Sequence, residues 1–221
     1  MSVRYGILLV PEPSFTARVY RARQLICGQY GAWAAEMQMV HLPVSGFFQC
    51  TDRGLGALES GVDELAARSR RDAPQFQLSH SGVASNPDHQ GNIFLDFARD
   101  TSRDTSRDTS TESGPAPLDI LRDSVVSFLD RTPEVTHDPL ADGPTFRPHL
   151  PLVQFARLPH GVFSDAVEFA QAAVAGLGVP HTTRAWRLLL LRFHSEAAGD
   201  DWSGGGWALD LRWEPLSSHR L

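Results

Sequence analysis

The chain has 221 residues, 42% hydrophobic and 21% charged, with a formal net charge of −6. That length buries a real core as one large domain or two small lobes, and the negative balance argues against a non-specific nucleic-acid binder, which carries a broad basic face, while leaving room for a small basic cleft. All 20 basic residues are arginine, so Schiff-base and P-loop lysine chemistry is excluded.

"RYGILLV" (4–10) is apolar and β-rich, and reads as a buried strand. Pro11 and Pro13 end this run, which is too short for a signal peptide, and no segment approaches the roughly 20 apolar residues of a membrane span. A cytoplasmic protein is expected, with Cys27 and Cys50 as reduced thiols rather than a disulfide framework. Helical spacing predicts a helix over 13–31, with Gly28 or Gly31 as its stop. "MQMVHLPVSGFF" (37–48) reads as a strand and "GALESGVDELAARSRR" (56–71) as an amphipathic helix. Two β-like runs follow, 75–85 and 91–99, joined by the hairpin turn "NPDHQG" (86–91).

The composition then changes. Arg-Asp-Thr-Ser occurs three times over 99–110 with no apolar residue, and 99–116 is expected to be a flexible linker or loop. Order resumes with a helix over 117–131, a strand in "RPHLPLVQFAR" (147–157) and a helix over 163–178. Two strands close the chain, 184–195 and 206–216.

The halves share one order: a lead-in, a His-Leu-Pro strand, a helix, then two strands around a turn. His41-Leu42-Pro43 and His149-Leu150-Pro151 are each followed by a branched aliphatic residue, two more residues and a phenylalanine. Each helix begins about 14 or 15 residues past its histidine, as in an internal duplication. Period-2 geometry puts His41 with Pro43, and His149 with Pro151, on one strand face. If a pseudo-two-fold relates the halves, the histidines oppose each other across a cleft. One neutral imidazole can then take a proton from water while the other, protonated, gives one to a leaving oxygen. No metal or other cofactor is called for.

With these motifs the chain resembles the 2H phosphoesterase superfamily of 2′-5′ RNA ligases and RNA 2′,3′-cyclic phosphodiesterases. That family carries two copies of His-x-Thr/Ser-hydrophobic; "VHLPVSGFF" and "RPHLPLVQFAR" match them, and the two strand pairs agree as context. The resemblance covers nearly the whole chain apart from 99–116. It implies an α+β fold, a single bilobal LigT-like duplication with two antiparallel sheets lining a central cleft and helices outside. It implies His41 and His149 as the catalytic acid–base pair, their roles unassigned, acting on a cyclic or 2′-5′ phosphate of an RNA end or nucleotide, in a monomer.

The family's hydroxyls are replaced by Pro43 and Pro151, which offer neither a hydroxyl nor a backbone N–H. Lost charge-assisted donors cost roughly 1.5–3 kcal/mol each. A site that kept binding and lost catalysis is the rival expectation. Parity along a straight strand offers replacement contacts in Arg147 and Arg157, and base-stacking surfaces in Phe47 and Phe155; a surface arginine and core packing are the commoner roles. A bulge at Gly46 would flip Phe47. His80, His89, His137, His160, His181, His194 and His219 show no ligand spacing. "WSGGGW" (202–207) is a turn with anion-cradling composition.

Overall fold

The structure is a computed structural model and describes residues 2–86, 91–97, 116–137 and 147–221. The turn expected within 86–91 and the repeats of 99–116 lie largely outside the described residues. The elements run β1 (Ser2–Pro11), α1 (Pro13–Tyr30), β2 (Leu42–Pro43), β3 (Phe48–Cys50), α2 (Leu55–Asp72), β4 (Gln77–Ser79), β5 (Val83–Asn86) and β6 (Asn92–Asp96). They continue with α3 (Pro117–Arg131), β7 (Val135–His137), β8 (His149–Val153), α4 (His160–Gly176), β9 (Thr182–Ser195) and β10 (Arg212–Arg220). No described helix is long and apolar enough to cross a membrane.

Helix α1 opens on Pro13, whose missing N–H costs nothing in a first turn. It stops at Gly31, left-handed at φ 66°, whose N–H reaches the Cys27 carbonyl at 2.8 Å. Its inward stripe is Phe15, Val19, Ala22, Arg23, Ile26 and Cys27, so one arginine lies among apolar side chains.

The larger sheet has the order β10-β9-β1-β3-β7, with β2 on β1 and β4 on β9. The smaller has the order β5-β6-β8, and every pairing is antiparallel. The middles of β1 (6–10) and β9 (188–191) are continuous apolar runs, as both sheet faces are covered there. Ile7, Leu9, Leu188 and Leu190 face the main core beneath the helices. Leu8, Val10, Leu189, Leu191 and Phe193 face a second cluster built on Trp202 and Trp207.

The halves exchange strands. The hairpin of the first half, β5–β6, takes the second half's β8 as its third strand. The hairpin of the second half, β9–β10, pairs through β1 with the first half's β2. Each sheet therefore contains one His-Leu-Pro segment, and each sheet needs both halves of the chain.

Several boundaries differ from the sequence expectation. The first His-Leu-Pro strand is only Leu42–Pro43, because Val44 and Ser45 both direct their N–H to the Ile7 carbonyl (3.0 and 3.2 Å) and bend the chain off β1. The helices after the motifs start 14 and 11 residues past their histidines, at Leu55 and His160. Residues Gly206–Leu209 form a 3₁₀ turn, so the last strand begins only at Arg212.

Candidate functional site

Both His-Leu-Pro segments lie on sheet edges: β8 closes the small sheet, and β2 pairs with β1 alone. They approach each other from their two sheets. This placement explains why proline is tolerated twice. The Pro151 carbonyl accepts from Arg23 Nε at 2.7 Å, outside the sheet. A residue's nitrogen and carbonyl oxygen project to the same side of a strand, so Pro151 removes no ladder donor. Val44 turns its N–H toward β1, so by alternation the Pro43 nitrogen faces away from it.

The two histidines are held alike. His41 Nδ1 lies 2.7 Å from the Met39 carbonyl and His149 Nδ1 lies 2.9 Å from the Arg147 carbonyl, each two residues back. A carbonyl only accepts, so the proton of each neutral ring sits on Nδ1 and Nε2 keeps its lone pair. His41 is 3% exposed, whereas His149 is half-buried. Burial, the Arg23 guanidinium and His149 push the His41 pKa from 6.5 down to about 3, against the pull of the Met39 carbonyl. Burial also lowers that of His149, but the Arg147 carbonyl and the Asp96 carboxylate oppose the shift.

Asp96 sits opposite His149 in the β6–β8 register and is buried. It holds Arg147 by two side-chain contacts, one from Nε at 3.2 Å and one from Nη2. The Arg147 guanidinium also lies over Phe94 (5.5 Å), whose ring meets His149 edge-on at 5.3 Å. Its side chain keeps 57% exposure, so it is positioned beside His149 yet open to a ligand.

Strand parity fails for the residues further along. β8 ends at Val153, and the Phe155 N–H turns to the Asn92 side chain at 3.0 Å. Phe155 and Arg157 then adopt φ of 50° and 47°, outside extended geometry. Phe155 packs edge-on against Trp207 (5.0 Å), and Arg157 is exposed on the loop before α4. Phe47 follows the bend after β2 and packs on Phe193, Trp202 and Trp207 at 5.1, 4.9 and 5.6 Å. The two phenylalanines therefore converge on one tryptophan of "WSGGGW", which is a packed turn.

Arg23 is the residue that sequence reasoning passed over. Its signal was present: it falls on the apolar face of α1, between Val19 and Ile26. Asp96 was likewise missed inside "NIFLD", where its charge interrupts a buried strand. Among the described residues no three His, Cys, Asp or Glu side chains are grouped to hold a metal ion.

No protein-family model matches the chain, and no curated protein does. Solved structures do. The structure of Escherichia coli LigT complexed with 3′-AMP has 15% identity and a TM-score of 0.54, covering 99% of this chain and 97% of that one. The NADP⁺ complex of LigT gives 13% and 0.52, covering 99% and 96%; a structure described as a phosphoesterase gives 13% and 0.51, covering 100% and 99%. The chain has the fold of these LigT structures.

Proposed function

We propose that the protein is a phosphodiesterase acting, through His41 and His149 and without a metal, on a 2′,3′-cyclic phosphate or a 2′-5′ linkage of RNA or a nucleotide. The observation that carries this reading is the matched pair of imidazoles. Each is locked through Nδ1 to the carbonyl two residues back, on one of two apposed edge segments. Each therefore keeps Nε2 for proton transfer.

The roles divide by environment. His41 is buried beside Arg23 and stays neutral at ordinary pH, which suits the base that takes a proton from the attacking water. His149 has the Asp96 carboxylate to favour its protonated form, which suits the acid that protonates the leaving ribose oxygen. Arg147, fixed by Asp96 but exposed, is placed to meet the phosphate charge. The nucleotide complexes of LigT support a nucleotide ligand here.

The test is turnover of a 2′,3′-cyclic nucleotide and of a 2′-5′-linked dinucleotide. His41→Ala and His149→Ala should each lower kcat by about 10²–10⁴. Activity that survives both changes overturns the assignment. The missing hydroxyls at Pro43 and Pro151 favour a second reading, a site that binds nucleotide or RNA ends without cleaving them. Calorimetric binding of the cyclic nucleotide with no turnover by the wild-type chain would establish that one instead.

A further inference from the structure

Arg23 is fully buried, the largest side chain in the core to be so. A guanidinium is costly to desolvate and persists inside a protein only where its fork is used. Here the fork joins two separate pieces of chain to α1. Nε donates to the Pro151 carbonyl at 2.7 Å, and Nη1 donates to the Ala35 and Gln38 carbonyls at 3.0 Å each. Ala35 and Gln38 belong to the segment that delivers His41, while Pro151 lies two residues past His149. A third strut runs parallel, from Gln38 Nε2 to Gln154 Oε1 at 3.4 Å. The pieces tied together come from different halves of the chain, one from the turn before His41 and the other from β8.

After burial, the charge of the same group is what most opposes protonation of His41. Its hydrogen bonds all end on neutral carbonyls, so no carboxylate quenches it by direct contact. Glu36, Cys27 and Tyr20 act on it only electrostatically. Burial lowers the Arg23 pKa to about 10, which still leaves it charged at neutral pH. The other groups facing the pair are His149 toward His41, and Asp96 and Arg147 toward His149.

We propose that Arg23 is a positioning residue: its fork sets the spacing of the two histidine-bearing segments. The inference rests on the reading that His41 and His149 act on one phosphate. It adds a device that the motif itself does not contain, supplied by the first helix.

Two variants separate the fork from the charge. Arg23→Met removes fork and charge; kcat on a 2′,3′-cyclic nucleotide should fall about a hundredfold with KM changed little, as expected of lost geometry. Its His41 ring, followed by proton NMR against pH, should titrate at a higher midpoint than in the wild type. Arg23→Lys keeps the charge and loses the fork: the His41 midpoint should stay low while kcat still falls. A folded Arg23→Met with unchanged kcat and an unchanged His41 midpoint overturns the proposal. Should Arg23→Met not fold, the wild-type chain decides. The Arg23 Nε proton should exchange slowly and show a scalar coupling across the hydrogen bond to the Pro151 carbonyl, and free exchange without coupling overturns it. If the wild type turns over no cyclic nucleotide, the functional reading fails while the titration and the coupling still decide the role of Arg23.

Discussion

Two residues separate this site from the motif it resembles, and their backbone explains why the change is tolerated. Pro43 and Pro151 stand on the open side of edge strands, where no ladder donor is lost. Threonine at either position would therefore fit the existing backbone and add a hydroxyl next to the histidine pair. Pro151→Thr and Pro43→Thr are each expected to tighten phosphate binding about tenfold, the low end of a charge-assisted hydrogen bond. Inhibition by inorganic phosphate measures this, and an unchanged inhibition constant in both variants would show that hydroxyls have no part in this cleft. The pH profile is a second residue-scale expectation. In the proposed reaction the base must be deprotonated, which His41 is above about pH 3, and the acid, assigned there to His149, must be protonated, which holds below its lowered midpoint. Activity should thus peak on the acid side of 6.5, the ordinary histidine value, and decline above it. Asp96→Asn removes the carboxylate that raises the His149 pKa and should move the alkaline limb to lower pH. An alkaline limb that stays in place excludes His149 as the acid.

Elements carry the site only as far as their geometry is regular. The loop before β10 is an example. Gly205 has φ 73°, and the Phe155 ring lies where its Cβ would be. Gly205→Ala must strain the backbone and push Phe155 off Trp207, and should cost about 1–3 kcal/mol in stability measured by denaturant unfolding. A neutral effect would mean that Phe155 is not seated there in solution. The same loop shows what the sequence could and could not reveal. Helices α1, α2 and α3 were legible because their apolar stripes and their Pro and Gly signals are local. β1 and β9 were legible as apolar runs. The histidine pair was legible because it occurs twice. Parity then misplaced Phe155 and Arg157, because strand length is decided by what pairs with the strand. Asn92 captures the Phe155 N–H, and the chain leaves the sheet there. Arg23 and Asp96 were invisible to motif reasoning because their partners, Pro151 and Arg147, lie far along the chain.

At the scale of the whole molecule, the exchange of strands is the feature that the duplicated sequence conceals. Two similar halves suggest two independent lobes, but the smaller sheet is β5-β6-β8 and the larger one joins β1, β2 and β3 to β7, β9 and β10. Residues 1–97 alone would leave β6 paired only with β5, without its β8 neighbour, and β1 without its long antiparallel neighbour β9. Residues 116–221 alone would leave β8 an isolated strand, and an isolated strand or hairpin is marginally stable at best. The buried Arg23 fork would also lose its Pro151 acceptor in the first piece, leaving a desolvated donor that costs about 1–3 kcal/mol. Neither piece should therefore hold a native core, and the site, which draws one histidine from each, should exist in neither. Produced as separate polypeptides, 1–97 and 116–221 should each lack the dispersed amide spectrum of a folded protein. Mixed, they should regain it together, with a single unfolding transition whose midpoint rises with concentration. A folded spectrum from either piece by itself would refute this interdependence and return the chain to a simple pair of lobes.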